Sequence, residues 1–266
     1  MKKPLILPLL LMLLTVTVAV SCSKEYSASG FTQTTPKEDS FNLTVNFTPM
    51  VDTLRLNFDS VYRNFWKEEY KVSAFKFYVC KFDLINTDSN RVYHLNSDKY
   101  FLIDAADSTT WAVKLLATPF TYNRISFLIG VDSARNVSGE QTGALDPANG
   151  MFLSRSSGYV MAKLEGSSYL SPAGNKIQYQ IAGFSRDSSV LRKPTLLFPF
   201  GEYLKIDSLP GRKSTVNINA DVNDWFFNPH QIKIATRPTC TSQGLLARDI
   251  SENYSKMFSV SAVINN

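Results

Sequence analysis

The sequence predicts an all-β fold, a β-sandwich of antiparallel strands with long loops and one or two short helices. Three observations carry that expectation. From residue 41 onwards apolar and polar residues alternate with period two, the pattern of a strand with one face buried and one wet. Gly, Pro, Asn and Asp interrupt the alternating runs at short intervals, as turn residues do. Helical spacing is confined to two stretches. Many short strands with so little helix bury their apolar faces by packing sheet on sheet.

The first strand begins at residue 41, where Phe41, Leu43, Val45 and Phe47 alternate with Asn42, Thr44 and Asn46. Leu54, Leu56 and Phe58 repeat the pattern, and residues 57–70 are ambiguous. Residues 72–84, VSAFKFYVCKFDL, are apolar on both faces. The period puts Phe75, Phe77 and Val79 on one face and Tyr78, Cys80, Phe82 and Leu84 on the other, as in a central strand covered twice. Further strands read at 91–95, 100–104, 111–116, 125–131, 159–164, 177–184, 190–200, 216–220 and 258–264. Pro194 and Pro199 confine the segment 190–200 to a sheet edge, because proline cannot donate to a ladder. Asp221 is placed to cap a short turn reaching Phe227 and ended by Pro229, and Leu246, Ile250 and Tyr254 share a helix face in 245–254.

Ahead of this domain, Lys2 and Lys3 precede an apolar run over residues 5–20 that is too short and too early for a membrane span, so residues 1–21 read as a signal peptide. Ala19-Val20-Ser21-Cys22 resembles the lipobox of bacterial lipoproteins, with Ala19 where leucine is usual. Cys22 is then the lipid acceptor and the membrane the first partner; an ordinary signal peptide followed by an unrelated cysteine is the alternative. Residues 22–40 hold little that could fill a core and read as a flexible tether spanning about 25 Å root-mean-square. The expected location is the outer membrane, facing the periplasm or the cell surface. Ser23-Lys24-Glu25 faintly resembles the surface-export signals of Bacteroidetes lipoproteins.

Residues 41–266 form one domain large enough for a substantial core. Removing residues 1–21 takes two lysines and no acid, so the net charge falls from +5 to +3. That is no nucleic-acid footprint.

No catalytic constellation stands in the chain, and an enzyme is not expected. It has two histidines, His94 and His230, and none of the zinc-protease, haem, Walker or serine-elbow motifs. A surface or hydrogen-bonded role fits each histidine better than metal ligation, which needs several nitrogen or sulfur donors. Cys80 and Cys240 could pair in an oxidising envelope, but Cys80 lies in a core strand, where lone cysteines behave as small hydrophobes; two separate thiols are the default.

The most informative stretch is 127–166, FLIGVDSARNVSGEQTGALDPANGMFLSRSSGYVMAKLEG, a long loop between two strands of the kind that often carries function. Its oxygen donors are Asp132, Asn136, Glu140, Asp146 and Asn149. They lack the spacing of a calcium loop and, beside Gly139, Gly143 and Gly150, are better explained as turn formers. The chain also has 18 Phe, 12 Tyr and 3 Trp, which fill cores but would also serve an aromatic cleft for a glycan or peptide.

In this loop the sequence resembles the MbnP-like family of bacterial envelope proteins. The resemblance rests on Phe127 to Ser133, Asn136, Gly139, Gln141, Gly143, Ala144 to Pro147, Gly150-Met151-Phe152, Ser157-Gly158-Tyr159 and Lys163 to Gly166, and runs more weakly from Phe41 to Ile264. It implies the sandwich fold, copper as the bound metal, and a di-haem protein of the cytochrome c peroxidase type as a partner. It also implies a Trp-x-Trp pair after Gly-Met-Phe and a histidine before Ile-Gly-Gly; here Leu153, Arg155 and Gln180 stand at those places. Amide and guanidinium groups are not copper donors, so the resemblance carries over the scaffold and not the site. The metal candidates left are His94, His230 and Met151; the loop candidates are Asp132, Asn136, Asp146 and Arg155. Three functions follow: a lipid-anchored binding or interaction module with the copper site degraded, a working copper-acquisition protein, or a glycan- or peptide-binding surface lipoprotein.

Overall fold

The computed structural model describes residues 41–95, 98–185, 188–209 and 211–265; the expected signal peptide, the tether up to residue 40 and Cys22 lie outside the described residues. The chain opens with β1 (Leu43–Val51), whose alternate residues are buried, and a tight turn at Asp52 into the two-residue β2 (Leu54–Arg55). Then come β3 (Tyr62–Arg63), the long β4 (Glu69–Asn86), β5 (Arg91–His94), β6 (Phe101–Asp104), β7 (Ala112–Leu115), β8 (Phe120–Tyr122) and β9 (Arg124–Ile129). After the helix α1 (Ser133–Val137) follow β10 (Phe152–Ser154), β11 (Gly158–Ser167), β12 (Lys176–Ala182), β13 (Thr195–Leu197), β14 (Leu204–Ile206) and β15 (Ser214–Asp221). The chain ends with β16 (Thr239–Cys240), the helix α2 (Leu245–Tyr254) and β17 (Phe258–Ile264).

One sheet runs β17-β15-β1-β2, with β7 also on β1; the larger runs β13-β9-β4-β11-β12-β16, with β3, β5 and β6 also on β4 and β10 on β11. β8 and β14 form a separate ribbon. The expected all-β sandwich is observed, but it is mixed rather than wholly antiparallel: β1 runs parallel to β15, and β12 parallel to β16. Period-two alternation is the same in either orientation, and only a short hairpin loop would have forced the antiparallel choice.

Between the sheets lies a phenylalanine cluster. The ring of Phe47 stands 5.9 Å from Phe77, 6.5 Å from Phe82, 5.3 Å from Phe127 and 6.0 Å from Phe258. Phe82 therefore joins the face of Phe77, against the strict alternation read from the sequence. The cause is a β-bulge: Lys81 has φ +49, and the register with β9 shifts between Cys80 and Asp83, which reverses the facing of the residues beyond it. Tyr78 and Cys80 keep the outer face.

Two further expectations change. The run at Leu54 pairs for only two residues, and Leu54 is 64% exposed, because the hairpin leaves the sheet immediately after its turn. The expected strand 190–200 shrinks to β13, an edge strand as Pro194 and Pro199 required. The helical readings hold, with Asp221 capping a short turn at Val222–Trp225 through the Asn223 amide (2.9 Å) and α2 beginning at Leu245.

Candidate functional site

The long loop leaves β9 at Gly130, where φ is +109 and a Cβ would stand 2.8 Å from Leu191 Cδ2, so the turn requires glycine. Asp132 then caps α1 by accepting from the Arg135 amide at 3.2 Å. Two short turns follow at Gly143–Leu145 and Pro147–Asn149, the second capped by Asp146, which accepts from the Ala148 amide at 2.8 Å. β10 then pairs with β11 and closes the loop.

Internal hydrogen bonds hold this loop in one shape. Asn136 is fully buried; its Nδ2 donates to the carbonyls of Val131 and Asp132, and its Oδ1 accepts from the Tyr159 amide at 2.8 Å. Gly158 makes room for it, since a Cβ there would meet Asn136 Oδ1 at 2.2 Å. From the sheet below, Tyr78 donates to the Ala144 carbonyl (2.9 Å), Tyr159 to the Leu145 carbonyl (2.8 Å) and Lys163 to the Gly150 carbonyl (2.6 Å). Burial raises the Tyr78 phenol well above its ordinary range and the Tyr159 phenol above its own, which favours the protonated, donating form of each.

At the loop's edge Asp132 accepts from Tyr100 and lies 2.7 Å from Lys81 Nζ. Burial pushes its carboxyl up, but the bonds from Lys81 and Tyr100 outweigh that and hold it below the usual carboxylate range. Beneath lies a cleft of about 140 Å³ lined by Cys80, Lys81, Tyr100, Asp132 and Arg135. Burial pushes the Cys80 thiol up to about 12, so the protonated, poorly nucleophilic form fills it.

A family model described as MbnP matches residues 40–242, which include the whole of this loop. The chain belongs to the MbnP family. Among solved structures it is similar to MbnP from Methylosinus trichosporium, with a TM-score of 0.51 and 12% identity, over 82% of this chain and 98% of that one. At that identity the likeness is one of fold. Comparison with curated proteins finds no match. The family match stops short of α2 and β17, although the resemblance was read as far as Ile264; both elements nonetheless pack into the same core through Ile250, Tyr254 and Phe258.

The metal candidates within this MbnP scaffold have separate partners. His94, on β5, is 75% exposed and lies 2.7 Å from Asp83, which also holds Lys193 at 2.6 Å. His230 faces α2, with Glu252 at 2.7 Å from Nε2 and Asp249 at 3.6 Å from Nδ1. Met151 is buried in the core under the loop. Cys80 and Cys240 are both free and buried. Among the described residues no group of three or more His, Cys, Asp or Glu could hold a metal ion.

Copper can be tested against the residues at the positions where the resemblance implies ligands. Gln180 faces Lys163 across the β11–β12 ladder, and its Nε2 donates to Glu165 at 2.7 Å. The Lys163 ammonium is committed to the Gly150 carbonyl, directly before Met151. Leu153 and Arg155 are exposed on the hairpin that closes the loop. An amide already donating, a cross-strand ammonium, an alkyl chain and a guanidinium do not suit copper, which favours imidazole and sulfur.

The structure thus gives Asp132, Asn136 and Asp146 structural duties in the loop, while Arg155 stands apart at its tip. Sequence reasoning named Tyr159 and Lys163 only as carriers of the resemblance, and gave no part in holding the loop to them or to Tyr78, Lys81 and Tyr100. In an alternating strand a tyrosine reads as core, and its hydroxyl's partner, 14 residues away for Tyr159 and 66 for Tyr78, leaves no local pattern.

Proposed function

We propose that this chain is a non-enzymatic, lipid-anchored module of the bacterial outer membrane, built on an MbnP scaffold whose copper site has been lost, and that it acts by binding or interaction. The observation that carries this reading is the Lys163–Gly150 bond beside Gln180 and Glu165. Lys163 stands across the ladder from Gln180, the position where the family resemblance implies a histidine, and the Gln180 amide already donates to Glu165, which supports the reading. A cation brought there would lose hydration without gaining a soft donor, since the Glu165 carboxylate is already taken up by Gln180 and lies 4.0 Å from the Lys163 ammonium. The loop keeps its shape through carbonyl and amide bonds, so the scaffold outlives the loss.

A second reading, glycan or peptide binding, draws support from the exposed Phe65 and the half-buried Phe227, whose rings stack at 4.0 Å with Trp66 edge-on to both. Such a platform suits a sugar face or an aromatic side chain.

The test is equilibrium competition of the tag-free chain with a copper(I) chelator, followed by metal analysis after desalting. The expected result is no retained copper. One copper per chain, lost on His94→Ala or His230→Ala, would overturn the reading and restore a copper-acquisition role beside a di-haem partner.

A further inference from the structure

We infer that the end of the domain carrying Phe200 docks on the lipid surface, with Phe200 inserted among the headgroups; this rests on the reading that Cys22 is lipidated. Phe200 is 98% exposed and sits at φ +55, in the short turn Pro199–Gly201. An aromatic residue in the left-handed region is an outlier for a bulky side chain, and strain of that kind persists where the surrounding structure imposes it. The chain leaving the turn is held where it enters β14: Tyr203 donates to Asp88, Asn265 donates to the Tyr203 carbonyl, and the Lys205 amide donates to Asn265 Oδ1. The aromatic ring is thereby presented to solvent by a braced loop.

The fold places this turn where the chain emerges from its tether. Leu43, at the start of β1, is paired with Ser214, and Thr215 beside it with Ile264, so the tether side of the domain and the end of β17 coincide. Asn265, next to Ile264, is bonded to the Phe200 loop. Exposed apolar residues gather at the same end: Val92, Leu116, Leu197, Leu209 and Ile264. Charges there are of both signs, Arg91, Lys205, Arg212 and Lys213 against Asp88, Glu202 and Asp207, so the contact is assigned to the ring rather than to a basic patch. A lipid on Cys22 would hold this end near the bilayer at an effective concentration on the order of millimolar, at which a weak apolar contact becomes occupied. Phenylalanine at the headgroup boundary is stabilised as interfacial aromatics are.

Tyr169 provides the control. It is 68% exposed, but it lies next to Ser168, which bonds the carbonyl of Glu69 at the first residue of β4, whereas Asp88 lies just past the last. The two ends of β4 are on the order of 50 Å apart.

The full chain, carrying Phe200→Cys or Tyr169→Cys, is purified with its lipid and labelled with an environment-sensitive fluorophore; the native thiols Cys80 and Cys240 are buried and stay unlabelled. It is then reconstituted in phosphatidylcholine vesicles containing a doxyl lipid. The expected result is a blue shift and strong doxyl quenching at 200, with neither at 169. Vesicle-bound protein whose label stays aqueous and unquenched at 200, or is quenched equally at 169, overturns docking while leaving the anchor intact. Protein that takes up no labelled fatty acid at Cys22 and does not float with vesicles overturns the anchor, and docking with it.

Discussion

The two faces of β4 are held by different chemistry. On the inner face Phe77 and Phe82 meet Phe47, Phe127 and Phe258, and Phe75 packs on Phe77, in ring contacts that involve no polar atom. On the outer face Tyr78 reaches the Ala144 carbonyl and Lys81 reaches Asp132, so the long loop is joined by donors and acceptors of defined direction. Apolar burial is roughly proportional to area and indifferent to angle, while a hydrogen bond in a dry place must be made or it costs. The inner face therefore stabilises the fold as a whole, and the outer face selects one loop shape. A fold shared at 12% identity is what an angle-tolerant core permits.

The largest effect that separates the two faces is expected from Phe77→Asp. An unpaired carboxylate among those rings should cost several kcal/mol, against a total stability of about 5–15 kcal/mol. The variant is expected not to fold. Far-ultraviolet circular dichroism and thermal melting check it, and a melt like that of the unaltered chain would show that the cluster is not the centre of the fold.

Next in size is Asn136→Ala, which acts on the outer face alone. It strips the partner from the buried Tyr159 amide and from the Val131 carbonyl, while the Asp132 carbonyl keeps the backbone amide of residue 136. Each buried group left unsatisfied costs about 1–3 kcal/mol. Hydrogen exchange should quicken across residues 131–159 while the amides of β15 and β17 keep their protection. Uniform loosening of both sheets would mean that loop and core are one cooperative unit.

How much of this was legible in the sequence follows the same division. The inner face was readable because burial writes itself as a local period: Phe47, Phe75 and Phe77 fall where alternation puts them. Phe82 was misplaced because a bulge is a backbone event, and Lys81 at φ +49 leaves no mark in composition. The parallel pairing of β1 with β15 was invisible for a related reason, since the two strands meet across most of the chain. On the outer face Asp132, Asn136 and Asp146 stood out as turn formers, and the structure gives each a capping or bridging bond. The hydroxyls of Tyr78 and Tyr159, which reach the carbonyls of Ala144 and Leu145, were not legible, because a long-range hydroxyl bond has no periodicity.

The smallest predicted effect uses pH to sharpen the contrast. Asp132 is held below its ordinary range, burial opposing and the bonds from Lys81 and Tyr100 prevailing, whereas the inner face has nothing to titrate. Because the folded value lies below the unfolded one, the carboxylate's contribution is fully present above the unfolded value of about 4 and is lost as pH falls through the folded value. Lys81 has the opposite sign. Its bond to Asp132 raises it, so its contribution is present below about 10 and is lost as pH rises through the raised folded value. Loop protection should therefore be level from about pH 5 to 9 and fall on either side. The pair is worth about 1 kcal/mol or less, because Lys81 is half exposed and water screens it. Asp132→Asn should lower the plateau by that amount and remove the acid decline in exchange at residues 131–137. Phe127→Leu, on the inner face, should lower stability at every pH without changing the shape of the curve. An acid decline that survives Asp132→Asn would assign it to a different carboxylate and leave the Lys81 pair as a surface ornament of the loop.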